Sequence, residues 1–256
     1  MNIYLTFIAF LCLVNNQLYS RKLTVFKGDL AEHRQFPFIV LLASSKTICT
    51  GSLFKGDMVM SAAHCVCDPN PVEKAIFEKS SIGDKEGLVI GITGYILDPL
   101  YKICESMKKG IKPQEGDDEA VDFAIIKIKH DMTEVSRKVK LIKLNYMMKV
   151  EVGTEFTTIG FGQDLKEKKL SAHGVLKVGK SITIKCPAHY AHSPICAPLN
   201  DNVQYADSGD SGGPLYIAKY DQTFGVAGGH VETGWATFII YPSFNSRKEF
   251  IKEYAL

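Results

Sequence analysis

Short apolar runs, separated by turn residues, recur along the chain. The clearest are rich in β-branched and aromatic residues and lie at 38–42, 58–60, 88–90, 123–128 and 156–159. Runs of this length, bounded by Gly, Pro and polar residues, are typical of strands rather than helices. The pattern predicts an all-β fold of many short strands.

A helical period appears only at the end of the chain. Between 246 and 256, Phe250, Ile251 and Tyr254 recur at the spacing of one helix face. Ser246 precedes this stretch and is of a residue type that caps helix N-termini. We therefore expect a C-terminal helix that begins at Ser246.

The first twenty residues have the character of a targeting segment. Residues 3–14 are almost wholly apolar, yet the run is too short to be a membrane span, and Ser20 is a small residue suited to a cleavage point. No later segment is long and apolar enough for a span. The sequence predicts a signal peptide at 1–20, a secreted, extracellular product and no membrane partner.

Charge and cysteine content narrow the class further. The net charge of the 256 residues is +2, which gives no indication of a nucleic-acid partner. Of the 7 cysteines, Cys12 lies in the predicted signal peptide. The remaining even number suits an oxidising compartment, but six cysteines allow 15 pairings. A zinc cluster in the segment 64–67, His-Cys-Val-Cys, is the alternative use of these residues.

The strongest chemical signal is the sequence Gly-Asp-Ser-Gly-Gly-Pro at 209–214. Ser211 is flanked by residues that leave its hydroxyl unshielded. A serine hydroxyl is a weak nucleophile until a base takes its proton, and histidine titrates near neutral pH. His64 follows Ser-Ala-Ala, and Asp122 opens an apolar run, so a base and a carboxylate to orient it are both present.

His64, Asp122 and Ser211, in this order and with these flanks, resemble the catalytic residues of the chymotrypsin-like (trypsin-fold) serine proteases. The resemblance implies two six-stranded antiparallel β-barrels with a C-terminal helix, and an active site between them. It also implies that the N–H groups of Gly209 and Ser211 form the oxyanion hole, and that no cofactor is needed. A serine esterase of the α/β-hydrolase type does not fit, because its triad has another chain order.

The family pattern also implies covalent and processing features. The peptidase domain would span 25–256, after a short propeptide at 21–24. Two disulfides have family counterparts and the third follows by subtraction: Cys49–Cys65, Cys186–Cys196 and Cys67–Cys104.

The expected substrate pocket departs from the trypsin pattern. Tyr205 stands at the pocket base, where trypsin-like members carry an aspartate, and Gly228, His230 and Ile239 stand along its walls. An arginine side chain would find no counter-charge at that base. We expect a shallow pocket that favours small or modest apolar residues.

Activation is the second departure. In the family, cleavage frees an amine that pairs with the aspartate before the nucleophile, which makes Val25 and Asp210 the expected pair. The residue before the cut is Thr24 rather than Arg or Lys. The sequence therefore leaves the activating protease undetermined.

The functional hypothesis is a secreted serine endopeptidase that acts through an acyl-enzyme. Its expected partners are protein or peptide substrates and protein protease inhibitors, and the expected state is a monomer. The alternative is a catalytically impaired homologue that binds a partner through the same cleft. The altered pocket and the absent activation site favour that alternative, while the complete triad opposes it.

Overall fold

The computed structural model describes residues 25–32, 34–67, 70–80, 87–104, 119–162, 174–187, 192–200, 202–233 and 236–255. The predicted signal peptide at 1–20 and the propeptide at 21–24 lie outside the described residues. The domain boundary at Val25 stays a prediction.

Strands dominate the described residues. They are β1 (Asp29–Leu30), β2 (Ile39–Ala43), β3 (Ile48–Lys55), β4 (Met58–Ser61), β5 (Lys74–Phe77), β6 (Leu88–Leu97), β7 (Ala124–Ile128), β8 (Lys143–Leu144), β9 (Glu155–Gly160), β10 (Lys177–Ile182), β11 (Ile195–Pro198), β12 (Pro214–Ile217), β13 (Gln222–Val226), β14 (His230–Thr233) and β15 (Ala236–Tyr241). The helices are α1 (His64–Cys67), α2 (Met132–Val135) and α3 (Lys248–Ala255), with 3-10 turns at Glu119–Val121 and Asn245–Arg247. Each apolar run in the sequence that predicted a strand coincides with one, so the all-β prediction is confirmed.

The first half of the chain forms a closed six-stranded barrel. Its strand order is β2-β3-β4-β7-β6-β5, and every neighbouring pair is antiparallel. Side chains from all around the barrel fill its interior, among them Leu42, Leu53, Phe77 and Ile126. Closure leaves this sheet without free edges, so the ends of its strands can support loops rigidly.

The second half differs in detail from the expected six-stranded barrel. It consists of a six-stranded sheet, β1-β10-β9-β12-β13-β8, and a three-stranded sheet, β11-β15-β14. An isolated bridge between Gly225 and Ser243 links the two sheets. Strand β15 ends directly before Pro242, which has no N–H to continue a ladder. The short strand β8 joins β13 in parallel.

The C-terminal helix is present but begins later than predicted. Ser246 lies in the 3-10 turn, where its hydroxyl donates to the carbonyl oxygen of Ser243 at 2.7 Å, and α3 starts at Lys248. The buried side chains of Phe250 and Ile251 join a cluster with residues of both halves, among them Phe123 and Val226. The helix thereby fastens the two halves together. No helix among the described residues has the length and apolar character needed to cross a membrane.

Three disulfides connect the cysteines of the described residues: Cys49–Cys65 and Cys186–Cys196, as the family resemblance implies, and Cys67–Cys104, as expected by subtraction. The sulfur atoms of Cys49 and Cys65 lie close to His64, but a disulfide offers no thiolate to a metal. The zinc alternative for the segment 64–67 is therefore wrong.

Candidate active site

The first barrel positions a histidine and an aspartate against each other. His64 is the first residue of α1, directly after β4, and Asp122 precedes β7, the neighbouring strand. The Nδ1 of His64 lies 2.6 Å from Oδ2 of Asp122, and the backbone N–H of His64 donates to Oδ1 at 2.9 Å. An ionised carboxylate only accepts, so Nδ1 carries the proton and Nε2 is left as the basic nitrogen.

The side chains of His64 and Asp122 differ in their exposure to solvent. The side chain of Asp122 is 6% exposed, whereas that of His64 is 39% exposed. The carboxylate is thus shielded from water while the imidazole remains open to the cleft. This geometry orients the ring and stabilises its charged form.

Ser211 reaches the same cleft from the second half. It lies in the turn before β12, and together with His64 and Asp122 it lines a cavity of about 400 Å³. The structure therefore brings the three predicted catalytic residues together around one space. Tyr101 and Ile103 close the cavity on the side of the first barrel.

Two backbone donors stand beside Ser211. Gly209 has a φ of 95°, a conformation that side-chain-bearing residues rarely adopt. Within the part of the chain that the structure describes, the N–H groups of Gly209 and Ser211 have no hydrogen-bond acceptor. Both donors are therefore available to a substrate oxygen.

Thr50 of β3 braces this loop from the first barrel. Its backbone N–H donates to the carbonyl oxygen of Ser211 at 2.8 Å, and its hydroxyl donates to that of Gly209 at 3.0 Å. The same hydroxyl accepts the N–H of Phe161 at 3.0 Å. Thr50 thus joins the serine loop to both halves of the fold.

Asp210 anchors the Ser211 loop through its buried carboxylate. Its side chain is fully buried, and its Oδ1 accepts the N–H of Gly162 at 2.7 Å, while Oδ2 accepts that of Asp207 at 2.9 Å. Burial raises the pKa of Asp210 to about 7, although both hydrogen bonds act in the opposite direction. A side chain on Gly160 or Gly162 would collide with this carboxylate, which explains the glycines at those positions.

Val25, the expected partner of Asp210, is completely buried. The next residue, Phe26, donates its N–H to the carbonyl oxygen of Tyr205 at 2.9 Å. A Cβ placed on Gly179 of β10 would lie 2.6 Å from Cγ1 of Val25, so the side chain of Val25 packs closely on the backbone of Gly179. The ion pair between a freed Val25 amine and Asp210 stays a prediction.

The predicted pocket residues fall into two groups. Gly228, His230 and Ile239 line the cavity, and Nε2 of His230 lies 3.2 Å from the carbonyl oxygen of Ala206. Tyr205 does not belong to the lining, because its ring stacks on Phe26 with the centroids 4.5 Å apart. The expectation that Tyr205 forms the pocket base is corrected on this point.

Asp207 is a cavity residue that sequence reasoning did not assign to the pocket. It is 7% exposed and lines the cavity wall, where its Oδ1 accepts the N–H of Ser208 at 2.7 Å. The available signal was its position four residues before Ser211, where many family members carry a pocket-rim cysteine. The lining of the pocket therefore includes a carboxylate.

A family model and two sequence relatives match most of the chain. Residues 25–244 match the family model described as Trypsin. The chain is 30% identical over 204 residues to the cercarial protease of Schistosoma mansoni, covering 78% of this chain and 77% of the relative. It is 25% identical over 210 residues to snake venom serine protease 2 of Protobothrops jerdonii, covering 79% of this chain and 74% of the relative.

Solved structures of similar fold include those of human heparin binding protein. A double mutant of that protein superposes with a TM-score of 0.71 at 18% identity, covering 89% of this chain and 95% of the other. An atomic-resolution structure of the same protein gives 0.68 at 18% identity, with the same coverage of 89% and 95%. At this identity the likeness concerns the fold alone, and it confirms the chymotrypsin-like architecture.

Proposed function

Since the chain belongs to the trypsin family of serine proteases, we propose that it is a secreted endopeptidase that hydrolyses peptide bonds through an acyl-enzyme. The observation that carries the proposal is the shared cleft, which is lined by Ser211 and by a histidine whose Nδ1 lies 2.6 Å from the carboxylate of Asp122. The three disulfides support an oxidising, extracellular location.

The proposed chemistry follows from the geometry of the cleft. The Oγ of Ser211 attacks the substrate carbonyl carbon while Nε2 of His64 takes the hydroxyl proton. The tetrahedral oxyanion accepts hydrogen bonds from the N–H groups of Gly209 and Ser211. Collapse breaks the C–N bond, and the imidazolium returns the proton to the leaving amine. A water molecule, activated by the same imidazole, then releases the acyl group and restores Ser211.

The proposed substrates are proteins or peptides cut after small or modest apolar residues. Ile239 and His230 line the described cavity, and Tyr205 lies outside its lining, so the proposed preference rests on the two lining residues. Asp207 also lines the cavity, but its carboxylate already accepts the N–H of Ser208. Protein protease inhibitors are proposed as further partners of a monomeric enzyme.

A peptide library digested by the chain beginning at Val25 tests this function. Cleavage that is abolished in Ser211→Ala, with small or apolar residues before the cut, supports both activity and specificity. A preference for Arg or Lys that disappears in Asp207→Asn would instead assign recognition to Asp207. Absence of any cleavage would contradict the enzymatic function.

The second candidate is a binding protein that uses the same cleft without catalysis. The altered pocket and Thr24 at the activation position favour it, and a protein of this fold is named for binding heparin. If the protein is a non-catalytic homologue, the wild type and Ser211→Ala will bind the partner equally well, and neither form will cleave it. The complete triad arrangement makes the enzyme the better-supported candidate.

A further inference from the structure

We propose that Lys177 is a positioning residue for the Ser211 loop, because it supplies Asp210 with a cation from inside the chain. The loop is then ordered before any cut frees an amine at Val25. The inference rests on the proposed function, and it adds a regulatory consequence: the uncut chain is already competent.

The first observation is the burial of Lys177. It lies at the start of β10, and it is only 1% exposed, although lysine is among the residues least often buried. An ammonium group in the interior is costly unless an anion lies beside it. The fold therefore has to provide Lys177 with a negative partner.

The strand register places Lys177 on the face of the sheet that the Asp210 carboxylate covers. Lys177 pairs directly with Gly160 of β9, and paired residues of antiparallel strands project from the same face of a sheet. A side chain on Gly160 would run into the carboxylate of Asp210, so this carboxylate covers that face. Burial is the main influence on the pKa of Asp210 and raises it, while the positive charge of Lys177 acts in the opposite direction and favours the ionised carboxylate.

The other groups around Asp210 do not provide a cation. The N–H groups of Gly162 and Asp207 donate to its two oxygens, and the Asp207 carboxylate repels it. Burial raises the pKa of the Tyr241 hydroxyl, and the charge of Asp210 acts in the same direction. Within the described residues, Lys177 is the one cation whose charge favours the ionised form of Asp210.

Above about pH 7, where Asp210 is ionised, its side chain controls the backbone that carries the catalytic groups. Its N–H donates to the carbonyl oxygen of Asp207 at 2.8 Å, and its carbonyl oxygen accepts the N–H of Gly213 at 2.8 Å. The loop between these residues includes Gly209 and Ser211. A cation that holds the Asp210 side chain in place therefore also holds the proposed oxyanion donors.

Val25 approaches the same face of the sheet. It packs on Gly179, which lies two residues after Lys177 in β10 and so projects from the same side. A freed amine at Val25 and the ammonium of Lys177 would thus serve one carboxylate. Lys177 makes the freed amine dispensable, which fits the absence of Arg or Lys at Thr24.

The test compares uncut and cut forms of the same proteins. Residues 21–24 are replaced by the recognition sequence of a sequence-specific protease, so that one preparation yields a chain with or without the segment before Val25. The rate at which a serine-reactive phosphonate probe labels Ser211 is then measured for the wild type, Lys177→Met and Lys180→Met. Lys180 is an exposed lysine of the same strand and serves as the matched control.

The uncut wild type and uncut Lys180→Met are expected to label within about threefold of their cut forms. Uncut Lys177→Met is expected to lose about 100-fold, the scale of breaking a buried ion pair. Cutting before Val25 should restore most of that loss, because the freed amine replaces the missing ammonium. A purely structural role of Lys177 would impair both forms equally, and that outcome overturns the inference.

Two further outcomes also overturn it. One is an uncut wild type that is silent while the cut form labels, which leaves the proposed function intact. The other is an uncut Lys177→Met that labels like the wild type. If Lys177→Met does not fold, the two wild-type forms decide the matter alone.

If neither wild-type form labels, the proposed function fails and the regulatory consequence fails with it. The ion pair itself is then decided by thermal unfolding of Lys177→Met, Asp210→Asn and the double variant. If the two side chains are paired, the unfolding temperature of the double variant will be no lower than that of the less stable single variant. Losses that simply add contradict the pairing.

Discussion

The backbone N–H of Thr50 donates to the carbonyl oxygen of Ser211 at 2.8 Å, and this bond connects the first barrel to the loop of the proposed nucleophile. His64 and Asp122 belong to the first barrel, so their alignment with Ser211 depends on contacts between the halves. Thr50 provides such contacts through its backbone and its hydroxyl.

Replacing Thr50 by valine is expected to weaken both stability and turnover. The hydroxyl is buried, and its loss leaves the carbonyl of Gly209 and the N–H of Phe161 without this partner, at a cost of about 1–3 kcal/mol. Thr50→Ser keeps the hydroxyl and is the control. Denaturant unfolding and peptide hydrolysis of both variants check the prediction, and equal behaviour of the two variants would contradict it.

Gly209→Ala is expected to impair catalysis more than folding. A φ of 95° strains any residue with a side chain, and a Cβ there would lie 2.9 Å from Cα of Gly162. The loop would turn away and remove one oxyanion donor, for an expected loss of about 10²–10³ in kcat. Steady-state kinetics on a peptide substrate measure this loss. A fall confined to KM would show that the N–H of Gly209 does not serve the transition state.

Asp122→Asn is expected to lower kcat by about 10⁴ while leaving the fold intact. The amide can donate to Nδ1 of His64, which moves the ring proton to Nε2 and leaves no base facing Ser211. Kinetics and the unfolding temperature of the variant are measured together. Retention of wild-type kcat would exclude the proposed role of the 2.6 Å contact with His64.

The stability of the wild type relative to Asp210→Asn should fall as the pH rises from about 4 to about 7. Burial raises the pKa of Asp210 from its ordinary value of 3.8 to about 7, so the folded protein retains a proton that the unfolded chain releases in this window. Below the window both states are protonated and the contribution is fully present. The unfolding temperatures of both proteins are compared across this pH range. A difference that does not vary with pH contradicts the raised pKa.

Cys67→Ser/Cys104→Ser is expected to destabilise the fold by about 2–4 kcal/mol. The bridge joins the end of α1, which begins with His64, to the segment of Tyr101 and Ile103 at the cavity. Denaturant unfolding of the double variant measures the loss, with the non-reduced wild type as reference. No change in stability would mean that this bridge does not restrain the folded chain.

Much of the site could be predicted because its signals are local. Ser211, His64 and Asp122 each lie in a distinctive short sequence, and the strand runs stand out by composition. The direction of the Tyr205 side chain could not be predicted, because its ring stacks on Phe26, a residue distant in the sequence. The burial of Lys177 was equally inaccessible, since one among 30 basic residues gains its meaning only from the register with Gly160. The start of the last helix was misplaced because Ser246 bonds within a 3-10 turn instead of capping α3.

The central claim is that Ser211 is a nucleophile activated by His64. The most direct measurement is peptide mapping by mass spectrometry after the chain beginning at Val25 reacts with a serine-reactive phosphonate probe. We expect a single adduct on the peptide that contains Ser211, strongly reduced in His64→Ala and absent from the denatured protein. An unmodified Ser211 in the folded wild type, or equal labelling in His64→Ala, would contradict the claim.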